Sequence, residues 1–166
     1  MWRDHYHRLT RYNRWQNEHI YRLCEQLDDS QRKAMRGLFF HSIHGTLNHL
    51  LLTDRLWLGR FTGQPFEVDG LDQELYQDFD TLRNQRALTD AHLADYAATL
   101  DDTRLAEATL GYTSASTGRA REFPLTLCLT HLFNHQTHHR GQITTALCQL
   151  GLDVGVTALI FMPRSD

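Results

Sequence analysis

Histidines are concentrated in one short block of the sequence. Residues 131–142 read HLFNHQTHHRGQ and hold four of the chain's 11 histidines, namely His131, His135, His138 and His139. A neutral imidazole nitrogen is a common protein ligand for zinc, nickel, copper and iron, and the spacing decides whether several rings reach one ion. In a helix, His135 and His139 lie one turn apart and differ by only about 40° around the axis. The block therefore predicts part of a metal site.

The apolar residues of the same segment indicate which helix face turns toward the core. They fall within an arc of about 60° on a helical wheel, and they are Leu125, Cys128, Leu132, Ile143, Ala146 and Leu150. His139 lies inside this arc and His135 at its edge, whereas His131 and His138 lie toward one flank. The alternative is a solvated helix face with one buried, hydrogen-bonded imidazole. The pair of histidines on the buried side favours metal binding.

Two ligands on one helix do not make a strong metal site, so a third ligand must come from another element. An upstream amphipathic segment contains His41 and His44 on a polar stripe with Asn48 and Arg55, which predicts that these four are exposed. His49 falls on the opposite, apolar side. Burying an imidazole without a partner costs roughly 1–3 kcal/mol, which either a metal ion or a hydrogen bond to a carbonyl would offset. Both explanations stay open at this point.

Other polar residues near these histidines allow more than one role. Asp54 is interpreted as an acceptor that supports the site or as the partner of a nearby arginine. Gln142 lies beside the His135 and His139 pair on the wheel, where it would orient a bound water. Whether these two residues, His131 or His138 take part in the site stays open, and no catalytic residue is assigned.

The elements that must position these residues are long helices. The periodicity predicts four of them, at about residues 2–27, 38–61, 72–100 and 124–151. Thr89 and Asp90 resemble an internal cap within the third. Two short extended runs, 106–112 and 119–123, predict a small hairpin or irregular insertion before the last helix. The prediction is an all-α fold, an antiparallel four-helix bundle in a single domain of residues 1–166, with the metal site between facing helices.

Composition excludes several classes of protein. The chain has 166 residues, 41% of them hydrophobic, and a formal charge of −3, which disfavours nucleic-acid binding. No apolar run reaches the roughly 20 residues of a membrane span, and the first residues lack a signal-peptide core, so a cytoplasmic protein is expected. Cys24, Cys128 and Cys148 lack metal or redox spacing, and we expect all three to be buried core thiols.

The histidine segments resemble a known family. Residues 47–58 (LNHLLLTDRLWL) and 134–142 (NHQTHHRGQ) look like the DinB family of small bacterial proteins, which is distinct from the translesion polymerase of the same name. Residues 12–17 (YNRWQN) and 151–162 also resemble its pattern, so the likeness extends over the chain from end to end. The histidine-rich segment is the most specific of these.

The resemblance implies both a fold and a site. It implies a four-helix bundle of the superfamily that includes bacterial thiol-dependent transferases and the mycothiol-dependent maleylpyruvate isomerase. Such proteins hold a divalent ion with one histidine of the second helix and two of the fourth, which here correspond to His49, His135 and His139. The same resemblance implies a homodimer.

Two functions are compatible with these residues. The first is a metal-dependent transferase or hydrolase that acts with a low-molecular-weight thiol and a small-molecule substrate, because three imidazoles leave positions open on the ion. The second is a non-catalytic metal-binding protein of the stress response, which the lack of an evident general base supports. Zinc or nickel is the favoured ion, with iron or manganese as alternatives, since three imidazoles do not fix its identity.

Overall fold

The computed structural model describes residues 1–163 and is built mainly from helices. Its long helices are α1 (Trp2–Cys24), α3 (Ile43–Thr62), α4 (Phe79–Ala98) and α6 (Leu125–Gln149). Its short ones are α2 (Asp29–Lys33) and α5 (Asp102–Glu107), and a 3-10 turn spans Leu159–Phe161. Strands β1 (Thr109–Thr113) and β2 (Ala120–Pro124) pair as an antiparallel hairpin. A mostly helical chain with a hairpin before the last helix is therefore confirmed.

Side-chain caps place two helix starts later than the periodicity predicted. α3 begins after Ser42, whose hydroxyl oxygen accepts from the Gly45 amide at 2.9 Å. α4 begins after Asp78, whose carboxylate accepts from the Thr81 amide at 2.7 Å. Each cap satisfies an amide that the first helical turn leaves unpaired. Consequently, residues 63–78 form a long connection, and the predicted helical start near residue 72 is wrong.

The internal cap predicted at Thr89 and Asp90 is also wrong. α4 continues through both residues without a break. Thr89 donates its hydroxyl to the Gln85 carbonyl at 2.9 Å, a bond that a helix interior accommodates. The Asp90 carboxylate turns inward and pairs with Arg86 at 2.8 Å.

Each long helix packs against two others. α1 lies against α4 and α6, and α3 lies against the same two helices. Asp54 of α3 contacts Arg86 of α4, and further along Phe61 stacks on Tyr96, so α3 and α4 run parallel. The connection 63–78 makes this direction possible because it carries the chain back to the starting end of α3. The predicted antiparallel packing holds for α1 with α4 and for α3 with α6.

The interior consists of two apolar clusters with a polar layer between them. One cluster includes Ile20, Ile43 and Leu147, and the other includes Trp57 and Phe133. The polar layer lies between these clusters on all four long helices, and each of its side chains is at most 5% exposed. Its members are Asn13, Asn17, Asp54, Arg86, Asp90, Gln136 and Arg140.

Ion pairs and amide hydrogen bonds connect α3, α4 and α6 within this layer. Arg86 donates to the Asp54 carboxylate at 2.7 Å and pairs with Asp90 at 2.8 Å. The Gln136 amide donates to the same Asp54 oxygen at 2.9 Å. Burial raises the pKa of Asp54, and the Arg86 charge opposes that rise. Arg86 thus compensates two buried carboxylates at once.

α1 joins the layer through two asparagines. The Asn13 and Asn17 amides donate to Asp90 at 2.8 and 3.0 Å. Arg140 of α6 donates in turn to the Asn13 side-chain oxygen. The layer therefore links all four long helices, and its two aspartates are balanced by two arginines.

One prediction about apolar residues needs correction. Cys24 and Cys128 are buried as expected, but Cys148 is exposed because it lies on the outward face at the end of α6. In the apolar stretch 158–162, Ile160 and Phe161 are 86% and 64% exposed. Among residues 1–163, no helix is long and apolar enough to cross a membrane.

The polar layer yields a stability prediction. We expect Arg86→Leu to lower the free energy of unfolding by about 3–5 kcal/mol, because it leaves Asp54 and Asp90 buried without their counter-charge. Arg83→Leu, on the same helix, is the matched control, since its pairs with Glu25 and Asp80 are exposed and contribute at most about 1 kcal/mol. Urea denaturation would measure both, and equal losses would contradict the assigned role of Arg86.

Candidate metal centre

Three histidines from α3 and α6 converge beside the polar layer. The ring centroid of His49 lies 5.2 Å from that of His135 and 4.7 Å from that of His139. His135 and His139 are 4.4 Å apart, as their one-turn spacing requires. One nitrogen from each ring lies within 4.8 Å of the other two. The structure therefore brings together the three residues that the sequence singled out.

Hydrogen bonds orient two of these rings. The Nδ1–H of His49 donates to the Leu71 carbonyl at 2.8 Å, since a carbonyl oxygen only accepts. The Nδ1 of His139 lies 2.8 Å from the side-chain oxygen of Gln142, to which it donates. In the neutral rings, Nε2 of both residues consequently carries the lone pair, and that of His49 faces the Nε2 of His135 at 3.2 Å. These lone pairs are the groups that a metal ion needs.

His135 completes the cluster with an unusual environment. Its Nε2 lies 3.2 Å from the Nε2 of His49, while its buried Nδ1 has no hydrogen-bond partner among residues 1–163. Two ligand nitrogens of a tetrahedral ion with bonds of about 2.0–2.1 Å would lie roughly 3.3 Å apart. The spacing of this pair and the all-nitrogen donor set fit a first-row divalent ion.

The segment before α3 covers one side of the cluster. Phe40 stacks on His49 with ring centroids 3.6 Å apart and meets the His139 ring edge-on at 5.5 Å. This loop approaches α3 so closely that a Cβ on Gly45 would lie 2.3 Å from the Phe40 carbonyl oxygen. Glycine at position 45 is therefore what allows Phe40 to exclude water from one face of His49.

The connection 63–78 covers another side and supplies the Leu71 carbonyl. Asn48 accepts from the Tyr76 amide at 2.9 Å and donates to the Tyr76 carbonyl at 3.0 Å. Nε2 of His44 lies 2.9 Å from the same carbonyl. His44 and Asn48 are each 1% exposed, so the prediction that they face solvent is wrong. Their polar stripe binds the connection instead of water, whereas His41 is exposed as predicted.

Burial favours the neutral form of the cluster. Desolvation, countered in part by the bond to Leu71, lowers the pKa of His49 to about 4. Desolvation together with repulsion from His139 and His49 lowers the pKa of His135 to about 3. Desolvation also lowers the pKa of His139. The three rings are consequently neutral near pH 7 and available as ligands.

The other sequence candidates lie around the cluster with different contacts. His131 packs against Trp57 at 5.2 Å, and its ring centroid is 6.0 Å from that of His135. His138 is exposed, with its ring 4.9 Å from that of His139. Asp54 belongs to the polar layer, where its partners are Arg86 and Gln136. Gln142, expected to orient a water, orients the His139 ring.

Sequence reasoning missed two parts of the site. A backbone carbonyl such as that of Leu71 has no side-chain signature, so nothing in the sequence points to it. Phe40 lies next to His41, which adopts a left-handed backbone with φ of 67°, and a turn of this kind is not evident from residue type. The available signal was Gly45, because a glycine within a helix can mark the place where another part of the chain approaches closely.

The lowered pKa values predict how pH affects the metal-free protein. Below about pH 6.5 these histidines are protonated in the unfolded chain but stay neutral in the folded protein. Because the unfolded state binds more protons, the free energy of unfolding falls as pH decreases from 7 to 5. His135→Gln removes one such group, and we expect the slope to shrink by about 1 kcal/mol per pH unit between pH 6 and 5. Chemical denaturation with a chelator would measure this, and identical slopes would contradict the depressed pKa of His135.

Comparisons with known proteins give matches over most of the chain. The family model described as "DinB family" matches residues 1–165. Protein DinB of Bacillus subtilis (strain 168) is 27% identical over 166 residues, covering 96% of this chain and 95% of that relative. The crystal structure of a DinB-like protein from Bacillus cereus ATCC 10987 has a TM-score of 0.60 at 22% identity, covers 85% of this chain and 89% of its own, and shows a similar fold. Because the family model spans nearly the whole sequence, the chain belongs to the DinB family.

Proposed function

We propose that His49, His135 and His139 hold a divalent metal ion. The observation that carries this proposal is the orientation of the rings: the Nδ1 of His49 and of His139 is engaged in a hydrogen bond, which leaves Nε2 free. The Nε2 atoms of His49 and His135 are only 3.2 Å apart. Three nitrogen donors suit zinc or nickel best, with iron or manganese as alternatives.

The proposed fold is the four-helix bundle that the family resemblance implies. In support of it, α1, α4, α3 and α6 pack in a closed order in which each long helix touches two others. Metal sites in such bundles are built from side chains on facing helices, and α3 and α6, which carry the three histidines, face each other.

We further propose that the site is catalytic and works with a low-molecular-weight thiol. An ion held by three protein ligands keeps open positions, in contrast to a structural zinc site with four, and when bound it lowers the pKa of a coordinated water or thiol. The residues of this chain supply the surroundings. Phe40 shields His49 on one face, and the hydrogen bonds that His49 and His139 donate to the oxygens of Leu71 and Gln142 hold two rings in place.

Metal analysis tests the ligand set. We expect the purified protein to bind one divalent ion per chain. We expect His49→Ala, His135→Ala and His139→Ala each to reduce the metal affinity strongly. The reduction should exceed the roughly 10–100-fold loss that is typical when a group that only orients a ligand is removed. His138→Ala is the matched control, because this exposed histidine lies on the same helix outside the cluster. Equilibrium dialysis would measure the affinities, and unchanged binding in the three cluster variants would refute the site.

Thiol-dependent turnover tests the catalytic proposal. The metal-loaded protein is incubated with cellular thiols and small electrophilic acceptors, and loss of free thiol is followed over time. We expect turnover that disappears with a chelator and in His135→Ala but persists in His138→Ala. Metal binding without turnover across the panel would instead favour a non-catalytic metal-binding protein of the stress response.

A homodimer in the cytoplasm stays a prediction of the sequence.

A further inference from the structure

A cleft distant from the histidine cluster contains an arginine for which residues 1–163 provide no counter-ion. The cleft has a volume of about 590 Å³ and lies between α3, the connection 63–78 and β1. Arg60 lies on its wall, in the last turns of α3. Along the helix axis, Arg60 is 11 residues or about 16 Å beyond His49. The cleft is therefore separate from the proposed metal site.

Two aromatic rings fix the Arg60 guanidinium in place. Its central carbon lies 4.6 Å from the ring centroid of Trp57 and 4.2 Å from that of Tyr112. The two rings are inclined at 68° to each other, and a cation–π contact of this kind leaves the N–H donors without an oxygen acceptor. Within residues 1–163 the structure shows neither an ion pair nor a hydrogen bond for the Arg60 side chain. Arg60 is thus pre-organised for a planar acceptor that the described chain does not supply.

The electrostatic surroundings agree with an uncompensated charge. Burial lowers the pKa of Arg60, and the positive charge of Arg60 contributes, after burial, to lowering the pKa of His131. Glu67 also lines the cleft but lies outside ion-pair distance of Arg60. Arg121 of β2 lies opposite Tyr112 in the hairpin register and is exposed. Among the lining residues in the described part of the chain, Arg60 is the one cation, and it is half-buried.

The rest of the lining is largely apolar. Leu56, Pro65, Phe66 and Val68 contribute to its walls. On one side, Gly59 allows the connection to approach, since a Cβ there would lie 2.6 Å from the Gln64 carbonyl oxygen. The volume lies within the range of about 300–1,000 Å³ that small-molecule pockets occupy.

We propose that this cleft binds a small organic carboxylate with an apolar body. The carboxylate accepts two parallel hydrogen bonds from the Arg60 fork, a geometry that a guanidinium favours. The apolar part of the ligand lies against Leu56, Phe66 and Val68. This inference does not rest on the metal site.

Hexanoate is the probe that tests the proposal. Acetate, which lacks the apolar alkyl part, and hexan-1-ol, which lacks the negative charge, are the controls. Titrations of the isotope-labelled protein are followed through the amide signals of Gly59, Gly63 and Gly111, which line the cleft. We expect hexanoate to shift these signals at concentrations at least tenfold lower than acetate or hexan-1-ol requires. The same shifts should persist in His135→Ala, which excludes a carboxylate bound to a metal ion.

Matched variants assign the interaction to Arg60. We expect Arg60→Gln to weaken hexanoate binding at least tenfold and Arg60→Lys to weaken it less, because lysine keeps the charge but loses the fork. Arg121→Gln, which removes a nearby exposed charge, should change the affinity less than twofold. Glu67→Gln should tighten binding, and this outcome does not depend on whether Arg60→Gln folds.

Three results would overturn the proposal. The first is the absence of hexanoate-induced shifts at the three glycines. The second is an affinity that falls equally in Arg60→Gln and Arg121→Gln, which would indicate general attraction to positive charge. The third is equal affinity for acetate and hexanoate, which would remove the role of the apolar wall.

Discussion

The ion pair between Asp54 and Arg86 is the constraint on which the rest of the structure depends. Both side chains are nearly inaccessible to solvent, and an isolated ion there would cost several kcal/mol. Apolar clusters above and below stabilise the helices but are non-directional, so they tolerate more than one alignment. Sliding one helix by a turn of about 5.4 Å would leave a buried charge without its partner. The apolar clusters thus supply stability, and the polar layer selects one register.

This register also sets the geometry of the histidine cluster. The hydrogen bond from Gln136 to Asp54 joins α6 to α3, the same two helices that carry the cluster. Gln136 follows His135 directly, so the alignment that pairs it with Asp54 places His49 beside His135. Loops then complete what the helices begin: the connection 63–78 presents the Leu71 carbonyl, and the segment before α3 presents Phe40. Helix register determines which rings meet, and the loops determine how they are oriented.

The sequence reveals the parts of this arrangement that follow helical periodicity. The spacing of His135 and His139, and the isolated position of His49 on an apolar face, indicate three inward-facing rings, which the family resemblance groups as ligands of one ion. The wheel fails where a polar face is covered by chain instead of water, as at His44 and Asn48. The sequence also gives no sign that Arg86 and Asp90 are buried, because their partners lie on other helices. Periodicity reports which residues share a face and does not report what covers that face.

The polar layer and the histidine cluster differ in the charges that they contain. The buried carboxylates of Asp54 and Asp90 both pair with Arg86 in the polar layer. Within residues 1–163, the group that could hold an ion consists of three histidines and includes no carboxylate. A divalent ion on neutral imidazoles would keep its full double charge and favour an anionic further ligand, such as a thiolate or hydroxide. Because the polar layer occupies the nearby carboxylate of Asp54, the same interaction that fixes the helix register also keeps negative charge away from the proposed metal.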